Sequence, residues 1–498
     1  MSLDELYLAL FAGGLVLLAS IVATRFAARL GLPSLLLFLA VGVILGEDVL
    51  GVELDDPQIA QNLGTAALAV ILVEGGLTTK WSDVGRLLAP AGVLATLGVG
   101  VSVGVTALGA HVLLGLDWQL ALLLGAILSS TDAAAVFSVL RVLPIPRRTR
   151  GLLEAESGFN DAPTVILVVL LSSTPLETQP WYLIGSLLYQ LAAGAAIGLL
   201  VGAIGSLTLP RMALPASGLY PLAIFGLGVL SFAAAGAAGA SGFIAAYLAG
   251  MVLANTGLPH RSATRSFAEG LGWLAQIGLF VLLGLLVTPS ELHREVLSAL
   301  VIGVVLLLVA RPLAVLASLT GFRFPWREQL FLSWAGLRGA VPIVLATFPV
   351  VAGVRGSDRL VDIVFVLVLF LTLVQGPSLR TLARKLGLTR PEATREVQVE
   401  SAPLDVLDAE LLTVSVPPGS RLHYVTVLEL QLPEPSVLAL VIRGGKVFVP
   451  RPESRVEEGD QLLVVTTSAQ REATERRLRA VGRRGKLAYW FGEYGDLL

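Results

Sequence analysis

Asp132 and Asp161 stand inside apolar stretches long enough to cross a membrane. Ser129, Ser130 and Thr131 precede the first, and Ser157 and Asn160 precede the second. An ionisable group in a bilayer is costly and rare, so each one marks chemistry by default. Glu74, Glu156 and Arg338 are also intramembrane, and Glu154 lies near a span end. Ser157 and Asp161 are four residues apart and share a helix face, with Glu154 near the same stripe; Glu156 and Asn160 share a neighbouring one. Asp132, Thr131, Ser157 and Asp161 offer carboxylate, hydroxyl and carbonyl oxygens, the donors a hard monovalent cation takes. No nitrogen or sulfur ligand joins them, which argues against a transition metal. Burial penalises the charged form of Asp161, so one carboxylate can hold either a proton or a cation. Competition for it is exchange chemistry without ATP, and the sequence carries no G-x-x-x-x-G-K-[ST] phosphate loop.

Such groups need a membrane frame, and composition supplies it. The 498 residues are 55% hydrophobic and 14% charged, with mean hydropathy +0.80. Soluble domains carry about 25% charged residues, so a soluble globular chain is excluded. The 52 glycines suit close helix packing. Cysteine is absent, which rules out disulfides, cysteine metal sites and thiol catalysis. His111, His260, His293 and His423 lack metal-ligand spacing and read as surface residues, with His111 or His260 as a pH sensor the lesser reading. A net charge of −2 gives no reason to expect a nucleic-acid partner. The acidic N-terminus lacks the basic region of a cleaved leader and reads as the first helix.

At about 20 apolar residues per crossing, thirteen spans lie between residues 6 and 378: 6–24, 33–47, 60–79, 88–114, 118–141, 154–173, 181–208, 219–236, 241–257, 267–288, 296–319, 328–350 and 360–378. Arginine and lysine fill alternate loops, including Arg147, Arg148 and Arg150, while acids such as Glu47, Asp48 and Asp117 occupy the others. The positive-inside rule then places the N-terminus outside and the C-terminus in the cytoplasm of a bacterial inner membrane. Gly336, Gly339 and Pro342 invite a break in span twelve, and Ser129–Thr131 give a weaker break signal in span five. With span seven set aside as a linker, the two broken spans are fifth in each half, the pattern of an inverted repeat. Gly194, Gly198 and Gly202 read as a close-packing stripe, and Ser129 and Ser130 as helix-packing hydroxyls. Arg338 could pair with Glu156 or balance the aspartates.

The fold class expected is therefore an all-α polytopic membrane protein of 13 transmembrane helices, with inverted repeats and two broken crossing helices, carrying a small cytosolic α/β C-terminal domain. Its parts are a transmembrane exchanger domain at 1–380, a linker at 381–400, a regulatory domain at 401–482 and a tail at 483–498. Residues 411–416, 437–443, 446–450 and 461–467 read as strands, with Gly444-Gly445 as a two-residue hairpin turn and 470–481 as a helix.

The motifs SSTDAAAVF at 129–137, EAESGFNDAP at 154–163 and GLRGAVP at 336–342 resemble the cation:proton antiporter superfamily, in its sodium/proton-exchanger, NhaP-like branch. The resemblance implies a core domain moving against a dimerisation domain, hence a homodimer. It implies that Asp161 carries cation and proton, that Asp132, Ser157 and the Thr131 carbonyl complete the ion site, and that Glu74 sits nearby through water. Asn160 stands where the electrogenic branch has an aspartate, which implies electroneutral exchange. Glu156 and Arg338 would form a structural ion pair. VPPGSRL at 416–422 and VEEGDQLLVV at 456–465 resemble the RCK-C (TrkA-C) domain of potassium-conductance regulators. That likeness tilts the cation to potassium, with sodium as the alternative, and makes a cyclic dinucleotide the candidate regulatory ligand; the nucleotide-binding G-x-G-x-x-G half is missing, so NAD is not expected. No cofactor and no enzyme activity are expected. An intramembrane aspartyl protease using Asp132 and Asp161 is the reading from another class, but GFND at 158–161 is not the G-x-G-D such a protease needs. A channel would need a filter such as TVGYG, which is absent.

Overall fold

The computed structural model describes all residues except 1–2, 31–32, 49, 53–55, 80, 133–144, 174–178, 213, 217, 257–260, 389–397, 405–408, 468 and 486–498. The chain divides into two compact units, Met1–Leu388 and Thr389–Leu498.

The first unit is helical. In order run α1 (Leu3–Leu30), α2 (Ser34–Leu45), α3 (Pro57–Thr78), α4 (Gly85–Leu114), α5 (Trp118–Ile127) and α6 (Arg147–Leu171). Then come α7 (Pro180–Thr208), α8 (Leu219–Ala237), α9 (Gly242–Ala254), α10 (Arg261–Leu285) and α11 (Val296–Phe322). Last are α12 (Trp326–Trp334), α13 (Ala340–Val351) and α14 (Asp358–Lys385). Seven helices among the described residues are long and apolar enough to cross a membrane. Local chemistry sets their ends. Asp56 caps α3 by accepting from the backbone N–H of Gln58 (2.8 Å), and Pro57 fills the first helical position, where no N–H is needed.

Small residues let the helices cross at backbone distance, which is how apolar helices associate without a hydrophobic drive between them. Gly76 of α3 and Gly250 of α9 face each other's main chain. Gly194, Gly198 and Gly202 of α7 seat α9 at Ser241, Ala245, Ala249 and Val252, so the glycine stripe is a packing surface within the unit. The helices α4 and α11 each contain one wide π-type turn, at Leu94–Gly98 and Leu306–Ala310. Such a turn adds a residue and re-aims the rest of its helix, and Arg311 comes directly after the second. His111 is tied down: its Nδ1 bonds the Leu116 carbonyl at 2.7 Å and its ring stacks on Trp118. His260 lies outside the described residues.

The second unit is a five-stranded antiparallel sheet in the order β1-β2-β5-β3-β4, with α15 (Arg471–Arg484) against it. The strands are β1 (Gln398–Leu404), β2 (Ala409–Ser415), β3 (Val437–Arg443), β4 (Lys446–Phe448) and β5 (Gln461–Thr467). Alternation turns Leu412, Val414, Leu462 and Val464 inward onto Leu478 and Val481 of α15. Gly444 and Gly445 take φ of 53° and 78°, the left-handed pair a two-residue hairpin requires. The strand β1 was not anticipated. The expected tail beyond residue 485 lies outside the described residues, as do residues 389–397 of the expected linker, whose first residues continue α14 and whose last open β1.

Candidate ion-binding site

Two non-helical segments, 130–132 and 335–339, build one half of the site. The helix α5 stops at Ile127, where Ser129 Oγ donates to the Ala126 carbonyl (2.7 Å) and bonds Thr164 Oγ1 (2.9 Å). Hydroxyls that offer the backbone such partners compete with helix continuation. Residues 130–132 then run without helical bonding. The helices α12 and α13 are separated by residues 335–339, which is the break expected there; Pro342 sits in the first turn of α13, where proline is tolerated. The two breaks meet. The Asp132 N–H donates to the Leu337 carbonyl at 2.9 Å, so backbone freed in one helix satisfies backbone freed in the other. The Asp132 carboxylate lies against Gly339: a Cβ there would fall onto Oδ2 and within 2.7 Å of Cγ.

The helix α6 brings the second half. Ser130 Oγ donates to Asp161 Oδ1 at 2.6 Å. Ser157 Oγ donates to the Thr131 carbonyl, and Asn160 Nδ2 donates to Thr131 Oγ1 at 2.7 Å. Ser130, Thr131, Ser157, Asn160 and Asp161 are all buried, and Asp132 is within electrostatic reach of Asp161. The structure therefore brings together Asp161, Asp132, Ser157, Thr131 and Asn160. It also adds Ser130, which sequence reasoning had set aside as a packing hydroxyl; Ser129 alone fits that description. Oxygens of two carboxylates, a carbonyl and hydroxyls converge here, a donor set suited to a hard cation carried as cargo. Glu74 stands apart. Its side chain lies against Gly272 of α10, near Glu269 and Arg265, and among the described residues no hydrogen bond joins it to the set above.

The expected Glu156–Arg338 pair is corrected. Arg311 of α11 holds Glu156 with two bonds, Nη1 to Oε1 at 2.5 Å and Nη2 to Oε2 at 2.9 Å, and both side chains are buried. Parallel two-pronged bonding is the strongest geometry available to a guanidinium. Arg338 belongs to the non-helical segment between α12 and α13. It is buried within electrostatic reach of Glu156 and Arg311, and its Nε and Nη1 have no hydrogen-bond partner among the described residues. Gly336 makes room for Arg311, since a Cβ there would lie 2.7 Å from its Nε. A lone arginine in the apolar run 296–319 was a readable signal, of the same kind as Arg338, that sequence reasoning missed. Tyr247 of α9, whose ring covers α6 at Gly158, gave no such signal.

A bundle of apolar helices, in which two non-helical segments meet beside buried carboxylates, defines a membrane carrier of cations and protons. The family described as sodium/hydrogen exchanger, transmembrane, matches residues 16–385, and the TrkA-C domain matches residues 411–479. The K(+)/H(+) antiporter NhaP of Alkalimonas amylolytica is 38% identical over 476 residues, covering 94% of this chain and 82% of that protein. The K(+)/H(+) antiporter NhaP2 of Shewanella baltica is 35% identical over 491 residues, covering 97% and 85%. The Na(+)/H(+) antiporter ApNhaP of Aphanothece halophytica is 30% identical over 352 residues, covering 67% and 66%. The solved sodium proton antiporter MjNhaP1 of Methanocaldococcus jannaschii shares the fold, with a TM-score of 0.66 at 23% identity over 77% of this chain and 99% of that one. The chain belongs to the sodium/hydrogen exchanger family. It is a multi-pass membrane cation/proton antiporter with a TrkA-C domain, and not an enzyme.

Proposed function

We propose that the protein exchanges cytosolic potassium for external protons, electroneutrally, by alternating access, with both ions competing for Asp161. The observation that carries this reading is the meeting of two helix breaks at Asp132, beside the Ser130–Asp161 bond. In a buried intramembrane setting, a carboxylate so placed is favoured either protonated or paired with a cation, and that alternative is the coupling. Asp161 and Asp132, Ser157 and the Thr131 carbonyl form the ion site, with Asn160 and Ser130 positioning them. Glu74, which stands apart beside Gly272, acts on the site as an accessory through water. Asn160 supports electroneutral exchange, because a neutral amide beside the carrier adds no charge to the cycle. The identity of 35–38% to proteins named K(+)/H(+) antiporters, over nearly the whole chain, supports potassium over sodium. Thirteen spans in two inverted halves, an outside N-terminus, a cytoplasmic C-terminus in a bacterial inner membrane and a homodimer complete the architecture. The TrkA-C domain regulates exchange, with a cyclic dinucleotide as the ligand class.

The test uses proteoliposomes loaded with a pH-sensitive dye and pulsed with potassium, sodium, lithium or rubidium, with and without residues 400–498. Potassium moves protons best in the wild type, an imposed membrane potential leaves the rate unchanged, and Asp161→Ala abolishes the signal. Proton movement that survives in Asp161→Ala sinks the reading. Removing residues 400–498 alters the apparent potassium affinity and leaves exchange intact.

A further inference from the structure

We propose that Tyr247 is a positioning residue that gates the ion site from the end of α6 that bears Arg148 and Arg150. Glu154, Gly158 and Asp161 are spaced by four and three residues, so they form one stripe along α6. That stripe leads from the arginine-bearing end of the helix to the carrier. Its middle position is covered. A Cβ on Gly158 would lie 2.5 Å from Cζ of Tyr247 and 2.9 Å from its hydroxyl oxygen. The Tyr247 ring also meets Phe159 edge-on, with centroids 5.6 Å apart, and its hydroxyl is within electrostatic reach of Glu154. The side chain is 2% exposed. Only a glycine at residue 158 leaves room for the ring against the helix, between Glu154 and Asp161.

The ring is anchored from the other side. Its hydroxyl bonds Thr79 Oγ1 at 3.3 Å, and Thr79 in turn donates to the Gly75 carbonyl at 2.6 Å. Asn255 ties the same corner by accepting from the Trp81 N–H (2.8 Å) and donating to the Thr79 carbonyl (3.0 Å). The helices α3 and α9 are already locked by Gly76 against Gly250. Tyr247 therefore belongs to a rigid α3–α9 pair and reaches across onto the helix that carries Asp161. A sliding of α6 against that pair lifts Gly158 from under the ring and opens the stripe; return covers it. This gate deepens the proposed exchange cycle, on which it rests, by assigning one barrier of alternating access to a side chain and its latch.

The chain has no cysteine, so Ser157→Cys supplies a single reporter thiol. Its labelling by a membrane-impermeant thiol reagent is followed in vesicles of both orientations, in the full-length protein. Adding Tyr247→Phe, which removes only the latch, raises the labelling rate from the Arg148 side about threefold, the change one neutral hydrogen bond makes; Thr79→Val, which also loses the bond to the Gly75 carbonyl, raises it at least as much. Tyr247→Ala raises it further, and the opposite side is unchanged. Equal rates with and without the latch, or acceleration from both sides alike, overturn the gate. Labelling needs no turnover, so this result is separable from the Asp161→Ala transport assay, which tests the exchange reading itself.

Discussion

The carboxylate of Asp132 occupies the space beside Gly339 in which every other residue would carry its Cβ. The two residues come from different non-helical segments, and the neighbouring Asp132–Leu337 backbone bond fixes their approach. The glycine is there for a carboxylate 207 positions away in the chain, as the numbering shows.

Gly339→Ala forces that carboxylate aside. A displacement of about 1 Å at a reacting group costs on the order of 100-fold in rate. Exchange measured in proteoliposomes should fall by that factor, while the detergent-solubilised variant keeps its melting temperature. A variant that exchanges at the wild-type rate contradicts this geometry.

Arg311→Met and Glu156→Gln each leave half of a buried pair unmatched, which costs about 3–5 kcal/mol. Both single variants should melt well below the wild type in detergent. The double variant Glu156→Leu with Arg311→Met leaves neither member of the pair orphaned and should recover much of the loss. A double variant less stable than both singles would show that Arg338 or another group depends on the pair.

Ser130→Ala removes the donor to Asp161 Oδ1. Hydrogen bonds to charged groups contribute about 1.5–3 kcal/mol, so the apparent cation KM should rise about tenfold or more at fixed pH. Ser129→Ala, which loses a packing hydroxyl, serves as the comparison and should leave KM within about twofold. Equal KM values in the two variants would return Ser130 to the packing role.

In the C-terminal unit, Asp460 is fully buried and accepts three bonds at 2.8 Å: Nε and Nη2 of Arg443 and the Glu457 N–H. The Asp460 bond also holds the Arg443 guanidinium above its ordinary range, so the arginine stays charged throughout the working pH range. Asp460→Ala removes both its bonds to Arg443, which keeps Glu457 and the Arg455 carbonyl, and its bond to the Glu457 N–H, loosening the β3–β5 connection by about 1–2 kcal/mol. Hydrogen exchange on the full-length protein should show faster exchange in β2, β3 and β5, with α3 and α9 unchanged. Unaltered exchange in those strands would refute the role.

The membrane class, the break between α12 and α13, the motif residues and four of the strands were legible from the sequence alone. Each depends on local pattern: apolar length, glycine and hydroxyl punctuation, and strand alternation flanking Gly444-Gly445. The strand β1 escaped because QVESAPL has no such alternation, and only pairing with β2 makes it a strand. Tertiary structure alone decided which arginine meets Glu156, since the partners are 155 residues apart and nothing local to either arginine names its acid. It also turned Ser130 to Asp161, 31 residues on, and laid Tyr247 over Gly158. A sequence records which groups a bilayer forces to find partners. Which partner each one finds depends on where the glycine-packed helices cross, and that is set only when the whole bundle closes.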